Sequence, residues 1–300
     1  MKFFDFGEVI DSDTEFVIFG IPWDYLTSIG TPNSAIAPKK IREVTKDLAL
    51  TTEKGFNILN LKAVDLGDIK VEPSKVNKNL IEIKTLMDSI YQQKLDVIPI
   101  MIGGDHFCSL NVIKAVGEHF GKKDEFGILI FDAHLDFYDK WDNGDLSHAT
   151  VIHRVYDLQY INNKNLLIVG TRDIDIPELE IVNMENVEYL EAYKLMDLGM
   201  RRYIENIIEF FTKSSITTLY ISIDIDVLDP SIAPGTGFAI PGGFSYREMW
   251  RILNEIAANF NIIGFDLVEV APNLDLSNNI TCNVAAKLIV EFMSFITETK

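Results

Sequence analysis

The sequence is poor in cysteine and in long apolar runs, and each shortage excludes a class of protein. Two cysteines in 300 residues cannot form a disulfide framework, so we expect reduced thiols and a cytoplasmic protein. No uninterrupted apolar run approaches the roughly 18 to 20 residues that span a bilayer. The N-terminal stretch, MKFFDFGEVIDSD, is too acidic for a secretory signal.

Basic side chains are also in short supply. The chain has 27 lysine and arginine residues against 45 aspartate and glutamate residues, which gives a formal net charge of -18. A surface of this charge repels nucleic-acid backbones and anionic lipid, so we expect neither a nucleic-acid partner nor a membrane role. The same charge is compatible with a small cationic ligand.

Apolar segments are abundant, with 47% hydrophobic residues, and they alternate between strand and helix patterns. Most predicted strands are uniformly apolar, which is typical of a parallel sheet covered by helices on both faces. No linker or repeat divides the sequence, so we expect a single domain over residues 1–300. Strands are predicted at 16–19, 58–66, 97–102, 127–131, 166–169, 187–190, 217–223 and 262–267. Helices are predicted at 38–49, 74–93, 110–120, 200–211, 245–260 and 277–297.

One apolar strand, in the stretch GILIFDAHLD from Gly127 to Asp136, ends in three potential metal ligands. Asp132, His134 and Asp136 are spaced two apart, so in an extended chain they project to the same side. In open parallel sheets the ligand site lies beyond the carboxyl ends of the strands. We therefore expect a metal site at the end of this strand.

Two further strands end in residues of the same kind. Asp224 and Asp226 follow the strand at 217–223, and His106 follows Gly103-Gly104-Asp105. Carboxylates gathered at one edge of a sheet repel each other, and a divalent cation relieves that repulsion. The three strands supply four carboxylates and two imidazoles. This set suits two Mn2+ ions, with zinc, cobalt or iron as alternatives.

Three motifs resemble the signatures of the ureohydrolases, the family of arginase, agmatinase and guanidinobutyrase. They are GGDH at 103–106, DAHLD at 132–136 and SIDIDVLDP at 222–230, and the resemblance covers nearly the whole chain. It implies a three-layer α/β/α fold with an eight-stranded parallel sheet. It also implies two Mn2+ ions per chain and hydrolysis of a guanidinium group to urea and an amine. Family members are commonly trimers or hexamers, so a homo-oligomer is implied as well.

The resemblance gives each potential ligand a role. One metal ion would be held by His106, Asp132, Asp136 and Asp224. The other would be held by Asp132, His134, Asp224 and Asp226. Asp132 and Asp224 would then bridge the two ions.

His148 and Glu269 complete the implied catalytic set. His148, in SHATVIHR, matches the histidine that shuttles protons or protonates the leaving amine, although Ala149 stands where the family usually has glycine. Glu269, in GFDLVEVAP, matches the glutamate that pairs with the substrate guanidinium. The chemistry agrees with both roles, because a carboxylate binds a guanidinium bidentately and histidine titrates near neutral pH.

Residues beside the motifs bear on the substrate. Phe137-Tyr138 follows the D-x-H-x-D motif much as in agmatinases, where Tyr138 would form a wall for the tetramethylene chain. Asp173 and Asp175 resemble the arginase residues that meet the substrate's α-amino group, and they could equally hold agmatine's far ammonium. Agmatine, hydrolysed to putrescine, is the first substrate expected. Arginine, 4-guanidinobutyrate and formiminoglutamate are the alternatives.

Two aromatic residues depart from the family pattern. Phe238 stands where the pattern G-T-G-T-P has a threonine near the guanidinium pocket, and Phe107 follows GGDH where serine is usual. They motivate an alternative from another class, a metal-bearing relative that binds a ligand without turning it over, although the complete metal-ligand set, His148 and Glu269 argue against it. A zinc deacetylase, which shares an arginase-like fold, is a third interpretation, although six ligands favour two metal ions over one.

Overall fold

The computed structural model describes residues 1–24, 34–120, 126–142 and 144–300. Within these residues the chain forms an eight-stranded sheet in which neighbouring strands pair in parallel. The strands are β1 (Phe16–Ile21), β2 (Ala63–Asp68), β3 (Ile98–Gly103), β4 (Gly127–Phe131), β5 (Leu166–Thr171), β6 (Glu188–Glu191), β7 (Thr218–Asp224) and β8 (Asn261–Val268).

The strand order is β2-β1-β3-β8-β7-β4-β5-β6. Strands that are distant in sequence therefore become neighbours, and β3, β8, β7, β4 and β5 lie side by side. Apart from His148, the predicted site residues all lie at or after the carboxyl ends of these five strands. Because the ends of parallel strands meet at one edge of the sheet, this order can bring residues as far apart as His106 and Glu269 into a single site.

Helices cover both faces of the sheet, which confirms the predicted three-layer architecture. The helices of the described residues are α1 (Ala37–Val44), α2 (Val76–Gln93), α3 (Ser109–Phe120), α4 (Val151–Tyr156), α5 (Ile176–Glu185), α6 (Lys194–Lys213), α7 (Tyr246–Asn259) and α8 (Ile280–Glu298). One hydrophobic cluster joins the sheet to α1, α6, α7 and α8. A second cluster joins the opposite face to α2, α3, α4 and α5.

The predicted elements differ from the observed ones mainly where local patterns are short. The helix predicted from Pro38 ends at Val44 and continues as a 3-10 turn to Asp47. Residues 58–60 form a 3-10 helix, so the strand predicted from 58 begins at Ala63 instead. The helices α4 and α5 are absent from the sequence prediction. α4 has six residues and α5 buries two, which leaves too little apolar periodicity to recognise.

The closing helix α8 is long and apolar enough to cross a membrane by length and composition alone. In the folded chain, however, 78% of its most apolar window is buried inside the protein. Phe292 of α8 packs edge-to-face on Phe265 of β8, with 4.9 Å between ring centroids. A helix that is apolar on most sides is typical of the core of a large domain, and α8 has that position here.

Arg42 joins the N-terminus, α1 and β2 through a buried ion pair. Its guanidinium donates to both carboxylate oxygens of Asp65, at 2.7 and 2.9 Å, and also contacts Asp68. Asp65 in turn accepts a hydrogen bond from the backbone N–H of Phe3 at 2.7 Å. The side chains of Arg42 and Asp65 are 2% and 0% exposed, so neither charge has water to replace its partner.

We expect Arg42→Met to destabilise the fold by about 3–5 kcal/mol, because it leaves the Asp65 charge buried without its partner. Equilibrium unfolding in urea measures the loss. The control is Arg201→Ala, since Arg201 pairs with Glu205 while 90% exposed. That substitution should cost less than about 1 kcal/mol. Similar losses for the two variants would contradict the importance of the buried pair.

Candidate metal centre and substrate pocket

His106 lies at the centre of one group of potential metal ligands. Its Nδ1 atom is 3.0 Å from Asp132 Oδ2, 3.0 Å from Asp136 Oδ2 and 3.5 Å from Asp224 Oδ2. His106 comes from a 3-10 turn after β3, and the carboxylates come from the ends of β4 and β7. Three strands therefore contribute to this group, as the sequence predicts.

His134 lies at the centre of a second group that shares Asp132 with the first. Its Nδ1 atom is 3.0 Å from Asp226 Oδ2 and 3.4 Å from Asp132 Oδ1. The ligand atoms of His134, Asp132 and Asp226 lie within 4.8 Å of one another, as do those of His106, Asp132 and Asp224. Asp132 thus faces both groups, one with each carboxylate oxygen.

Backbone N–H groups fix the orientation of these carboxylates. The N–H of His134 donates to Asp132 Oδ1 at 2.7 Å, and the N–H of Asp226 donates to Asp224 Oδ1 at 2.9 Å. The N–H of Ala133 donates to Asp226 Oδ1 at 3.0 Å, which ties the end of β4 to the turn after β7. In Asp224 and Asp226 the other oxygen is left to face an imidazole.

The electrostatics of the cluster fit a bound cation. Burial, and then the neighbouring Asp226 and Asp132, raise the pKa of Asp224 well above its usual range. Burial and Asp132 raise the pKa of Asp136 to about 6. His106 Nδ1 and Asp132 Oδ2 are buried, yet neither makes a well-aligned hydrogen bond within the described residues. A divalent cation would satisfy these atoms and relieve the repulsion between the carboxylates.

The other ring nitrogen of His106 faces a buried network that the sequence does not predict. His106 Nε2 is 3.0 Å from Ser222 Oγ, and Ser222 donates to Asp266 Oδ1 at 2.6 Å. Tyr220 OH donates to the second oxygen of Asp266 at 2.6 Å. Ser222 and Asp266 are register partners on β7 and β8. This network holds the imidazole so that Nδ1 faces the carboxylates.

Gly104 explains why the turn before His106 is glycine-rich. A Cβ atom at this position would lie 1.8 Å from the carbonyl oxygen of Trp23. The carbonyl of Gly104 also accepts the N–H of Glu269 at 2.8 Å. Close backbone approach at Gly104 therefore brings the ends of β1, β3 and β8 together.

Glu269 lies beside the potential metal ligands and contacts one of them directly. Its Oε1 atom accepts the backbone N–H of His106 at 2.7 Å. Glu269 and Asp136 both have a positive φ, 61° and 48°. For residues other than glycine this backbone region costs about 1–3 kcal/mol, and such residues cluster at functional sites. Burial, followed by the nearby Asp105, raises the pKa of Glu269 well above its usual range.

A cavity of about 310 Å³ opens above the two ligand groups. His148 and Glu269 line it together with His134, Asp136, Asp224 and Asp226. Tyr138 and Trp141 form one aromatic pair of the wall, with 4.9 Å between ring centroids, and Trp141 meets His148 edge-on at 6.3 Å. The structure thus brings the predicted catalytic residues to the same pocket as the potential metal ligands.

The acidic residues of the pocket wall differ in what they already contact. Asp175 caps α5 by accepting the N–H of Ile176 at 2.8 Å, and it also accepts the Tyr138 hydroxyl at 2.5 Å. Both of its oxygens are therefore engaged within the protein. Asp173 is 58% exposed and lies 3.8 Å from His134 Nε2. Asp173 is therefore better placed than Asp175 for direct contact with a ligand.

Glu178 is a pocket residue that the sequence prediction does not include. It lines the cavity from the first turn of α5, is 4% exposed, and accepts the backbone N–H of Phe137 at 2.8 Å. Burial raises its pKa to about 8. The sequence signal that points to Glu178 is the segment DIDIPE, in which its carboxylate stands three residues after Asp175.

The two aromatic residues that depart from the family pattern, Phe107 and Phe238, lie in different environments. Phe107 is fully buried and packs edge-to-face on Trp23, with 5.6 Å between ring centroids, so it is part of the core. Phe238 lines the cavity, and its ring meets that of His134 at 5.6 Å and 71°. Phe107 therefore lies away from the space that a ligand would occupy, whereas Phe238 borders that space.

The fold and the site together define an α/β protein whose sheet edge carries a carboxylate and imidazole cluster below a substrate-sized cavity. Comparison with known proteins identifies the class further. The model of the Arginase family matches residues 14–294. The chain is 32% identical over 283 residues to an agmatinase of Bacillus subtilis (strain 168), which covers 94% of this chain and 91% of that protein.

Two other matches extend the comparison to different members. The mitochondrial arginase of Medicago truncatula is 33% identical over 281 residues, covering 91% of this chain and 80% of the arginase. The crystal structure of formimidoylglutamase from Bacillus subtilis subsp. subtilis str. 168 superposes with a TM-score of 0.87 at 26% identity, over 99% of this chain and 92% of that one. The chain belongs to the arginase family. It is a hydrolase of the group that acts on linear amidine carbon–nitrogen bonds, and enzymes of this family depend on a binuclear metal centre.

Because Asp132 faces both ligand groups and Asp226 faces one, we expect Asp132→Ala to weaken metal binding more than Asp226→Ala. Both losses should exceed the roughly 10- to 100-fold that removal of an outer hydrogen-bond partner costs. Calorimetric titration with Mn2+ measures the affinities. The control is Asp139→Ala, which removes a carboxylate that is 63% exposed and pairs with Arg154. This control should leave the affinity for Mn2+ unchanged. Equal effects of the two ligand substitutions would contradict the shared position of Asp132.

Proposed function

We propose that the protein hydrolyses agmatine to putrescine and urea with two Mn2+ ions. The composition of the cavity wall is the observation that supports agmatine. Asp173, Asp175 and Glu178 line it, and no lysine or arginine lines it within the described part of the chain. A cation on the substrate would pair with these carboxylates and would lower the raised pKa of Glu178, whereas a substrate carboxylate would meet no basic partner there.

Six residues would hold the metal ions: His106, Asp132, His134, Asp136, Asp224 and Asp226. When bound, the two ions supply the Lewis acidity that makes water a nucleophile at neutral pH. The donor set of four carboxylates and two imidazoles suits manganese, because hard oxygen ligands predominate. The backbone hydrogen bonds to Asp132, Asp224 and Asp226 hold the ligands in place before a metal ion arrives.

Glu269 would orient the guanidinium over the metal centre. One of its oxygens already accepts the His106 N–H, so the carboxylate is fixed relative to a metal ligand. The side chain also lines the cavity, where a guanidinium would offset the cost of burying its charge. Glu269 therefore couples the position of the substrate to the position of the metal centre.

His148 would donate the proton that the departing amine needs. It is 8% exposed and lines the cavity, on the same wall as Trp141. A capping box formed by Ser147 and Thr150 fixes the turn that carries it. An imidazole can exchange protons near neutral pH, which suits the release of putrescine as a protonated amine.

Glu178 and Asp173 would receive the far ammonium of agmatine. Glu178 has one oxygen engaged with the Phe137 N–H and is buried enough that a cation would stabilise its charge. Tyr138 and Trp141 provide apolar surface for the tetramethylene chain. Asp175 acts differently, because it holds the Tyr138 hydroxyl and so fixes the wall.

The direct test is product formation by protein loaded with Mn2+. Agmatine, arginine and 4-guanidinobutyrate are assayed for urea, and formiminoglutamate for formamide. We expect agmatine to have the highest kcat/KM of the four. If arginine or a carboxylate-bearing substrate were preferred, the assignment to agmatine would be wrong within the same reaction class. If no substrate reacted while two metal ions were bound, the protein would instead be a ligand-binding relative.

We expect Glu178→Gln to raise the KM for agmatine about tenfold or more with little change in kcat, since a charge-assisted contact contributes about 1.5–3 kcal/mol. The amide keeps an acceptor for the Phe137 N–H, so the pocket wall stays in place. Glu180→Gln is the matched control, because Glu180 lies on the same helix and is exposed. A large fall in kcat with unchanged KM would show that Glu178 does not bind the tail.

A further inference from the structure

Contacts at the residues just before Phe238 hold its segment at the pocket. Thr236, two residues earlier, is 4% exposed and forms an isolated antiparallel bridge with Val270, the residue after Glu269. The carbonyl of Gly235 accepts the N–H of Ala271 at 2.7 Å. The segment is thereby tied to the strand end that carries Glu269, and the position of Phe238 follows from that anchor.

Phe238 itself is an exposed residue of this segment. It lines the cavity and remains 40% exposed, while Phe107, Phe131 and Phe137 are fully buried. An apolar ring left open in a pocket has surface to offer a ligand. Its edge-on contact with His134, at 5.6 Å between centroids, fixes which part of the cavity it borders.

A carboxylate also lies near the His134 ring. His134 Nε2, part of the ring that Phe238 contacts, is 3.8 Å from Asp173 Oδ2. The Phe238 ring and the Asp173 carboxylate therefore border the same imidazole. An ammonium group is attracted both by the face of an aromatic ring and by a carboxylate.

We propose that Phe238 is a specificity-determining residue that selects substrates whose far end is an ammonium group. This inference rests on the proposed hydrolysis of a guanidino substrate in the same pocket. The ring attracts a cation at the tail but has no hydrogen-bond donor for a carboxylate. A threonine at this position would offer a hydroxyl donor and no aromatic face, so it would select less strongly between the two.

Three substrates that differ only at the tail separate the possible roles of the ring. Agmatine ends in an ammonium, 4-guanidinobutyrate ends in a carboxylate, and butylguanidine ends in a methyl group. Phe238→Leu removes the ring but keeps apolar bulk. Phe238→Thr removes both. Dissociation constants and kcat/KM are measured for each substrate, and the Mn2+ content of each variant is measured alongside.

We expect Phe238→Leu to weaken agmatine binding about tenfold while butylguanidine binding changes less than about twofold. Phe238→Thr should lower the preference for agmatine over 4-guanidinobutyrate by about tenfold or more. Metal content should stay at the wild-type level in both variants. Tyr193→Leu is the control, because Tyr193 is an aromatic residue that is 58% exposed and outside the cavity lining.

Two results would overturn the role of Phe238. Equal losses of affinity for agmatine and butylguanidine in Phe238→Leu would show that the ring contributes only packing surface. Faster agmatine turnover in Phe238→Thr would show that the ring obstructs the substrate.

The binding measurements keep this test separate from the test of the proposed function. If the wild-type protein bound the three compounds but hydrolysed none, the hydrolase assignment would fail while the selection by Phe238 could still be measured.

Discussion

The repulsion between buried carboxylates at one edge of the sheet is the constraint on which the rest of the structure depends. Asp132, Asp136, Asp224 and Asp226 lie within reach of two imidazoles and are nearly excluded from water. Such a cluster is costly without a cation, because each charge raises the free energy of ionising the next. The surrounding fold must therefore hold the carboxylates together against their repulsion, and bound metal ions would convert that cost into binding free energy.

The strand order and a few backbone hydrogen bonds meet this constraint. β3, β8, β7 and β4 are adjacent in the sheet, so their carboxyl ends meet at one edge. Backbone N–H groups then fix one oxygen of Asp132, Asp224 and Asp226, and the network through Ser222 fixes the imidazole of His106. These contacts lie in rigid strand ends and short turns, which is where a preorganised site gains precision.

Local sequence predicts the parts of this site that depend on local geometry. The spacing of Asp132, His134 and Asp136 follows from strand alternation, and apolar runs locate most of the strands. Contacts between strands depend on the sheet order, which no local pattern contains. For this reason the pairing of Ser222 with Asp266 emerges only from the structure. The same holds for Phe107 and Phe238, both of which break the family pattern although only Phe238 enters the pocket.

The potential metal centre and the pocket wall have different roles in the proposed function. In the proposed function, the cluster would supply the chemistry shared across the arginase family, and the acidic and aromatic wall would select the substrate. Anomalous diffraction from crystals soaked in Mn2+ tests the central claim most directly. The account predicts two anomalous peaks, one near His106 and one near His134, with Asp132 in contact with both. A single peak, or peaks away from Asp132, would contradict it.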